Sequence, residues 1–515
     1  MPCRSPRFRC GLLLLALLAA ADRAAAGVRP AAVFTDHMVL QRGMPVPIWG
    51  SAEAAAEVRV SFAGQTVTAV AGSDGRWHAV LAPLDAAAAG QPLTIAAGDD
   101  RHVIADVVVG DVWLLGGQSN MEYTAGAMAA RLPAGKVLVD AADLPGLRFC
   151  RIVAPAAAEP QADFATPQRW DVCTPAAGAA HSAVGFVFAR RLHEALGVPV
   201  GVIDTSVGGT PIEPWIPAGA FAGHPTLEAI AAHARAGDIE AIRRMRGGTF
   251  VRGDHWLPGR LFNGRVAALV PLAIHGVAWY QGESNCGRGE DPRDYAAKLG
   301  ALVAGWRSAW SRPDLPVAVV QLPQWKSYAW PFLRAEQRRA TAGLGHTGLV
   351  VTIDLDHADD IHPPDKISVG ERLARWSLAR IHGREIAAEG PVFAAARRRG
   401  AEMVVRFTSN AVGDGLMAGR LAAPGEVVDS GSPVVNGFEL CTADGAWHGA
   451  AARIVGSGVV VTSAAVAEPV AVRYACQPEA RRDRPWNLHG RSGLPVGPFC
   501  SDPTRMPYEP GQNPP

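Results

Sequence analysis

Beyond residue 27 the chain opens with short alternating runs. Val58-Arg-Val-Ser-Phe62, Trp77-His-Ala-Val-Leu81 and Leu93-Thr-Ile95 set apolar side chains at every second position, with turn residues between them, which predicts an antiparallel β domain over 27–105. From 106 to 383 the pattern changes. Continuous apolar runs at 112–115, 200–204, 274–278 and 349–354 read as buried strands, and stripes of helical spacing lie between them. Residues 182–196 form a helix with Ser182 as cap and Gly197 as stop. Tyr295, Leu299, Leu302 and Trp306 mark another helix, and Ile367, Leu373 and Leu378 a further one. Such alternation implies a mostly parallel sheet covered by helices on both faces, the α/β class. Short β runs return over 384–505, as in Glu402-Met-Val-Val-Arg-Phe407 and residues 454–462, with Arg397-Arg-Arg399 expected in a solvated turn. The Pro-rich stretch 506–515 is expected to be a disordered tail, and no internal repeat is evident.

The front of the chain has the order of a secretory signal peptide: Arg4, Arg7 and Arg9, an apolar stretch over 12–20, then Ala24-Ala25-Ala26. Cleavage is expected after Ala26, and the apolar stretch is too short for a membrane span. The mature protein is therefore expected to be secreted or periplasmic, without membrane insertion. Six cysteines remain after residue 26 (Cys150, Cys173, Cys286, Cys441, Cys476 and Cys500). An even count in an oxidising compartment permits disulfides but does not assign pairs. A net charge of +1 argues against nucleic acid or an anionic membrane as partner. No C-x-x-C or H-E-x-x-H occurs, so no metal and no cofactor are expected. The 14 Trp against 6 Tyr suit sugar stacking as well as core packing. Oligomeric state is left open.

Four polar turns follow the predicted strands of the α/β segment. The first, Gly116-Gly-Gln-Ser-Asn-Met-Glu122, places Ser119 where a buried strand should turn into a helix, with backbone amides behind it able to stabilise negative charge. Met121 stands where the G-x-S-x-G elbow would need glycine. A serine nucleophile needs a base, normally a histidine oriented by a carboxylate. His362, in Asp359-Asp360-Ile361-His362-Pro363-Pro364-Asp365-Lys366, has two carboxylates just before it. Donors for an oxyanion are available in Ser206-Val-Gly-Gly-Thr210, through Gly208 or Gly209, and in Trp279-Tyr-Gln-Gly-Glu-Ser-Asn285, through Gln281. In an open parallel sheet these turns gather at the strands' C-terminal edge, where ligands bind.

These blocks resemble those of the SGNH (GDSL-type) hydrolases and, in detail, the sialate O-acetylesterase family of carbohydrate esterases. Gly117-Gln-Ser-Asn-Met121, Gly208-Gly-Thr210, Trp279-Tyr-Gln-Gly-Glu-Ser-Asn285 and Asp360-Ile-His-Pro363 with Lys366 and Gly370-Glu-Arg-Leu373 carry the likeness. So do His37-Met-Val-Leu-Gln-Arg42, Leu261-Phe-Asn-Gly264, Val320-Gln-Leu-Pro323 and Gly493-Leu-Pro-Val-Gly-Pro-Phe499. Gly116-Gly117 and Ala268 depart from the family pattern. The resemblance implies an SGNH-like parallel sheet between N- and C-terminal β domains. It also implies Ser119 as nucleophile, His362 as base, and oxyanion donors from the Ser119 N–H, a Gly208 or Gly209 N–H, and Gln281. Glu283 would hold the third block by hydrogen bonding, and Asp354 would be structural. The orienting carboxylate is Asp359 by the general spacing of three, or Asp360 by the Asp-Ile-His-Pro signature, with Asp360 preferred.

The implied activity is hydrolysis of O-acetyl esters on carbohydrates by a secreted serine esterase. Sialic acid, xylan and other polysaccharides remain open as carriers of the acetyl group. A non-catalytic carbohydrate-binding protein on the same scaffold is the rival from another class. A lipase or thioesterase would call for an extended apolar lid segment, which is not visible in the chain.

Overall fold

The computed structural model describes residues 27–246, 253–286, 290–355, 359–408 and 415–509. The expected signal peptide (1–26) and the last six residues lie outside these. One strand organises the molecule: β1 (Asp100–Gly117), 18 residues long. Its first part pairs antiparallel with the strand Ala87–Ala97, with Ile95 opposite His102. Its middle pairs parallel with Val39–Gln41, with Val39 opposite Val108. Its end is buried without interruption, because it is flanked on both sides in the central sheet. The boundary expected at 105/106 thus falls inside a strand rather than in a linker. Asp106 sits there at φ +52, where the pairing with Ala87–Ala97 shifts register while the strand continues.

The central sheet continues with β2 (Leu144–Arg151), β3 (Trp170–Cys173), β4 (Val200–Asp204), β5 (Gly276–Tyr280), β6 (Val317–Val320) and β7 (Thr347–Val350). Their spatial order is β3-β2-β4-β1-β5-β6-β7. All neighbours are parallel except β3 on β2. The chain builds first to one side of β1, through β2 and β4, and then crosses to the other side for β5. This reversal makes the C-terminal end of β1 a switch point, the place where such sheets open a crevice.

Alternate residues of β1 enter two different cores. Val112 and Leu114 pack in the core that holds Val277, Trp279, Leu299, Trp306 and Leu333. Trp113 and Leu115 pack in the one that holds Phe186, Val187, Leu373 and Trp376. Both faces are therefore covered, as the unbroken apolar runs required. One cover is α2 (Ala183–Leu196) with α5 (Lys366–Arg380); the other is α3 (Tyr295–Ala309) with α4 (Trp330–Gly343), while α1 (Ser119–Glu122) is a single turn after β1. Ser182 accepts the Gly185 N–H at 3.1 Å and Gly197 closes the helix at φ +68, matching the expected cap and stop. Helices α2 and α5 touch at Gly370, where an added Cβ would lie 2.6 Å from Val187 Cβ.

Three expectations shift. The run 274–278 enters the sheet only at Gly276 and extends to Tyr280. The run 349–354 is strand only to Val350; Thr352 then hydrogen-bonds Gln321 O, and Asp354 is turned into an ion pair with Arg372. Arg397-Arg-Arg399 ends the strand Phe393–Arg399 with all three side chains exposed, and the turn comes one residue later at Gly400, φ +62. Antiparallel sheets fill the C-terminal region around Val405, Leu440, Val459, Val472 and Leu488. At its end, Tyr508 is buried and stacks on Tyr328 at 5.7 Å, so the expected disordered tail does not begin at 506. All six cysteines after residue 26 are free thiols. Among the described residues no helix is long and apolar enough to cross a membrane.

Inside β1, eight residues before Ser119, Asp111 is fully buried and joins the N-terminal β region to the sheet. Arg42 donates to both carboxylate oxygens at 2.8 and 3.0 Å, and His275 Nδ1 lies at 3.2 Å. Burial alone would raise the Asp111 pKa, but His275 and Arg42 outweigh it and hold the group far below the usual carboxylate range. Asp111→Ala would leave a guanidinium without its partner. It should cost about 3–5 kcal/mol, measured as a lower urea midpoint with an unchanged m-value.

Candidate active site

Ser119 is the first residue of α1, directly beyond the end of β1. The approach is tight: Gly117 has φ +129, and a Cβ there would lie 2.1 Å from Tyr280 O. Only glycine allows the serine turn to sit against the end of β5. His362 comes from the loop between β7 and α5. Its Nε2 lies 2.8 Å from Ser119 Oγ, across 243 residues of sequence.

The two aspartates are placed differently. Asp360 Oδ1 is 4.0 Å from His362 Nδ1 and accepts the His362 backbone N–H at 2.8 Å, while Oδ2 pairs with Arg131 at 2.6 Å. Burial opposes ionisation of Asp360, yet the His362 N–H and Arg131 keep its pKa below the ordinary value. Asp359 points outward to Arg482, its side chain 73% exposed. Asp354 is buried and bound bidentately by Arg372, with His489 Nε2 at 3.0 Å. Burial lowers the His362 pKa below the imidazole value, and Lys366 and Arg131 add to it against the single opposing pull of Asp360.

The expected oxyanion donors do not all face the serine. Gly208 lies beside it, a Cβ there being 3.5 Å from Ser119 Cβ, and its N–H donates to Glu122 Oε2 at 2.7 Å. Glu122 is also held by Arg151 at the end of β2. Gly209, at φ +70, follows in the same turn. Gln281 is a correction. It is fully buried, and its amide nitrogen is directed at Gln118 Oε1, Thr210 O and Asn285 Oδ1 at 3.1, 3.2 and 2.8 Å. Two amide hydrogens already meet three acceptors, so Gln281 braces the turns behind the serine instead of facing a ligand.

Glu283 hydrogen-bonds within the protein. Its Oε1 accepts from Asn120 Nδ2 at 2.5 Å, and burial pushes its pKa above the usual carboxylate range. Asn120 is the residue that sequence reasoning missed. It also donates to Ile361 O at 2.9 Å and accepts from Lys366 Nζ at 2.6 Å. One side chain thus ties the Ser119 turn to the third block, to the His loop and to α5. Asn120 and Glu122 both lie inside the Gln118-to-Glu122 block, and their polarity on a buried turn was the available signal. Among the described residues no group of three or more His, Cys, Asp or Glu side chains could hold a metal ion.

A family model described as "Carbohydrate esterase, sialic acid-specific acetylesterase" matches residues 109–379. The sialate O-acetylesterase of Rattus norvegicus is 31% identical over 75% of this chain and 80% of its own length. The sialate O-acetylesterase of Homo sapiens is 30% identical, covering 74% and 76% respectively. The crystal structure of a carbohydrate acetylesterase from Xanthomonas citri superposes with a TM-score of 0.79 at 32% identity, covering 92% of this chain and 99% of that one. A family match across more than half the chain, with relatives and a fold that agree with it, means that the chain belongs to the sialic acid-specific acetylesterase family of carbohydrate esterases and is a carboxylic ester hydrolase.

Proposed function

We propose that this protein is an exported serine esterase that removes O-acetyl groups from carbohydrates, with Ser119 as nucleophile and His362 as general base. The 2.8 Å contact between His362 Nε2 and Ser119 Oγ carries the reading. A protein that only bound sugars would have no use for a buried-edge serine held on an imidazole. As Oγ attacks the acetyl carbonyl, its proton passes to Nε2, and the tetrahedral intermediate places its negative charge near the start of α1. There the backbone N–H groups of Ser119 and of Gly208 or Gly209 stabilise it. For Gly208 this requires the acyl oxygen to replace Glu122 Oε2, while Glu122 keeps Arg151. The imidazolium then gives its proton to the departing sugar oxygen. Water repeats the sequence on the acetyl-enzyme and releases acetate. Export rests on the Arg-rich, apolar and Ala-rich segments before Gly27.

The mature protein should release acetate from at least one of O-acetylated sialic acid, acetylxylan and acetylated cell-wall polysaccharide. Hydrolysis of none of them by well-folded protein would return the binding-protein reading.

The pH profile follows from the site. The reading of the sequence puts a carboxylate on the imidazole and so expects a raised pKa. In the fold, burial leads and Lys366 and Arg131 add to it, so the net shift is downward. A base acts when neutral, and a lowered pKa keeps it neutral to lower pH. The acid limb of kcat/KM on an activated acetate ester should therefore have its midpoint below the reference imidazole value of about 6.5. A midpoint above that value would mean that the carboxylate dominates.

A further inference from the structure

Lys366 is a basic group buried against the loop that carries His362, and neither step of the chemistry above uses it. It is the first residue of α5 and is fully buried. Its Nζ donates to Asn120 Oδ1 at 2.6 Å and to Pro363 O, the carbonyl next after His362, at 2.7 Å. The carboxylates around it are engaged elsewhere. Glu283 reaches it only through Asn120, Asp365 turns to the N–H and hydroxyl of Ser368 at 2.9 and 2.5 Å, and Asp360 holds Arg131. The rings of Tyr123 and Tyr280 lie at 5.2 and 5.7 Å, and Arg131 adds a second positive charge at the mouth of the site. An ammonium buried on two neutral acceptors is expensive to keep, and its position points to a use.

We propose that Lys366 is a positioning residue for His362: its charge disfavours the imidazolium and keeps the base neutral in mildly acidic conditions, while its hydrogen bonds to Asn120 and Pro363 O fix the His loop on the nucleophile turn. The proposal rests on His362 being the base. Burial brings the Lys366 pKa down to about 7, and after burial the Lys366 charge is the largest cause of the lowered His362 pKa. While the lysine carries its proton, two like charges on one buried turn lower the imidazole's affinity for a proton.

The test uses Lys366→Gln, which keeps a donor toward Asn120 without the charge, and Lys366→Met, which removes both. The His362 Cε1 proton is titrated by NMR in the Ser119→Ala background, where no turnover is needed. The same two substitutions are profiled for kcat/KM with Ser119 intact. Both should move the His362 midpoint to higher pH, and kcat/KM should fall further at about pH 5.5 than at about pH 8. A merely structural lysine would lower activity at all pH values with the midpoint unmoved, and that result overturns the proposal. If neither variant folds, Lys366 Nζ is titrated in Ser119→Ala alone. A Lys366 value below that of His362, which leaves the lysine neutral while the imidazole titrates, or a His362 midpoint at or above the reference of about 6.5, overturns it equally, whereas a Lys366 value above a lowered His362 midpoint supports it. Failure of the underlying reading would look different: Ser119→Ala or His362→Ala would retain turnover.

Discussion

Ser119→Ala should lower kcat on an activated acetate ester by on the order of 10⁶-fold, the scale of nucleophile knockouts in serine hydrolases whose triads act as a unit. The substitution removes one oxygen from a half-buried side chain at the first position of α1. Its backbone hydrogen bonds are unaffected: Tyr123 N still donates to Ser119 O and Gln118 N to Tyr280 O. Thermal unfolding should therefore be unchanged within about 0.5 kcal/mol, which separates lost chemistry from lost structure. The imidazole would stay in place, because its loop is held independently by Asn120 through Ile361 O and by Asp360 through the His362 N–H. Wild-type-like turnover by a folded Ser119→Ala protein would rule out the nucleophile assignment, and the meaning of the Ser119–His362 contact with it.

The parts of this site that were legible in the sequence are those written into local pattern. Ser119 follows an apolar run and two glycines, and His362 sits between acidic residues and a helical stripe; chain topology then brings the two together. The sheet's parallel character was equally legible, because strands covered on both faces are apolar at every position, as in Val200–Asp204. What stayed hidden depends on where a side chain points. Gln281 has the right chemistry and follows the right strand, yet Tyr295 OH holds its Oε1 at 2.7 Å, and its amide nitrogen turns inward. Periodicity does not encode that choice. The continuity of β1 across residue 106 was hidden for a similar reason: the pattern changes from half-buried to fully buried within one strand, and a change of pattern reads as a boundary. The direction of the His362 shift was missed because the pattern does not show that the imidazole itself is partly buried, nor that Lys366, four residues on, is buried against the same turn, whereas a lysine at a helix start ordinarily lies in solvent.

Asp360→Asn should be the more damaging of the two aspartate substitutions, lowering kcat by on the order of 10⁴-fold if Asp360 fixes the tautomer and charge of His362. The amide keeps an oxygen for the His362 backbone N–H, so the loop should hold its course and the loss should report on the missing charge. The 4.0 Å separation from Nδ1 is longer than a hydrogen bond, but such contacts in unliganded sites commonly tighten when substrate binds. Rotating Asp360 onto Nδ1 would draw it from Arg131, a half-exposed partner whose pairing is worth about 1 kcal/mol or less. Asp359 faces a larger obstacle: its carboxylate is out in solvent on Arg482, and the backbone would have to turn over to bring it inward. Asp359→Asn should therefore cost less than about tenfold. The pH profile gives a second reading, since Asp360 is the one neighbour that raises the His362 pKa. Asp360→Asn should push the acid midpoint lower still, opposite in direction to the Lys366 variants, and Asp359→Asn should leave it in place. If Asp359→Asn is instead the crippled protein, the spacing of three is the operative one and the loop must rearrange around substrate. If both retain more than a tenth of wild-type activity, His362 works without an aspartate from its own loop. Asp354 would not replace them without releasing both Arg372 and His489.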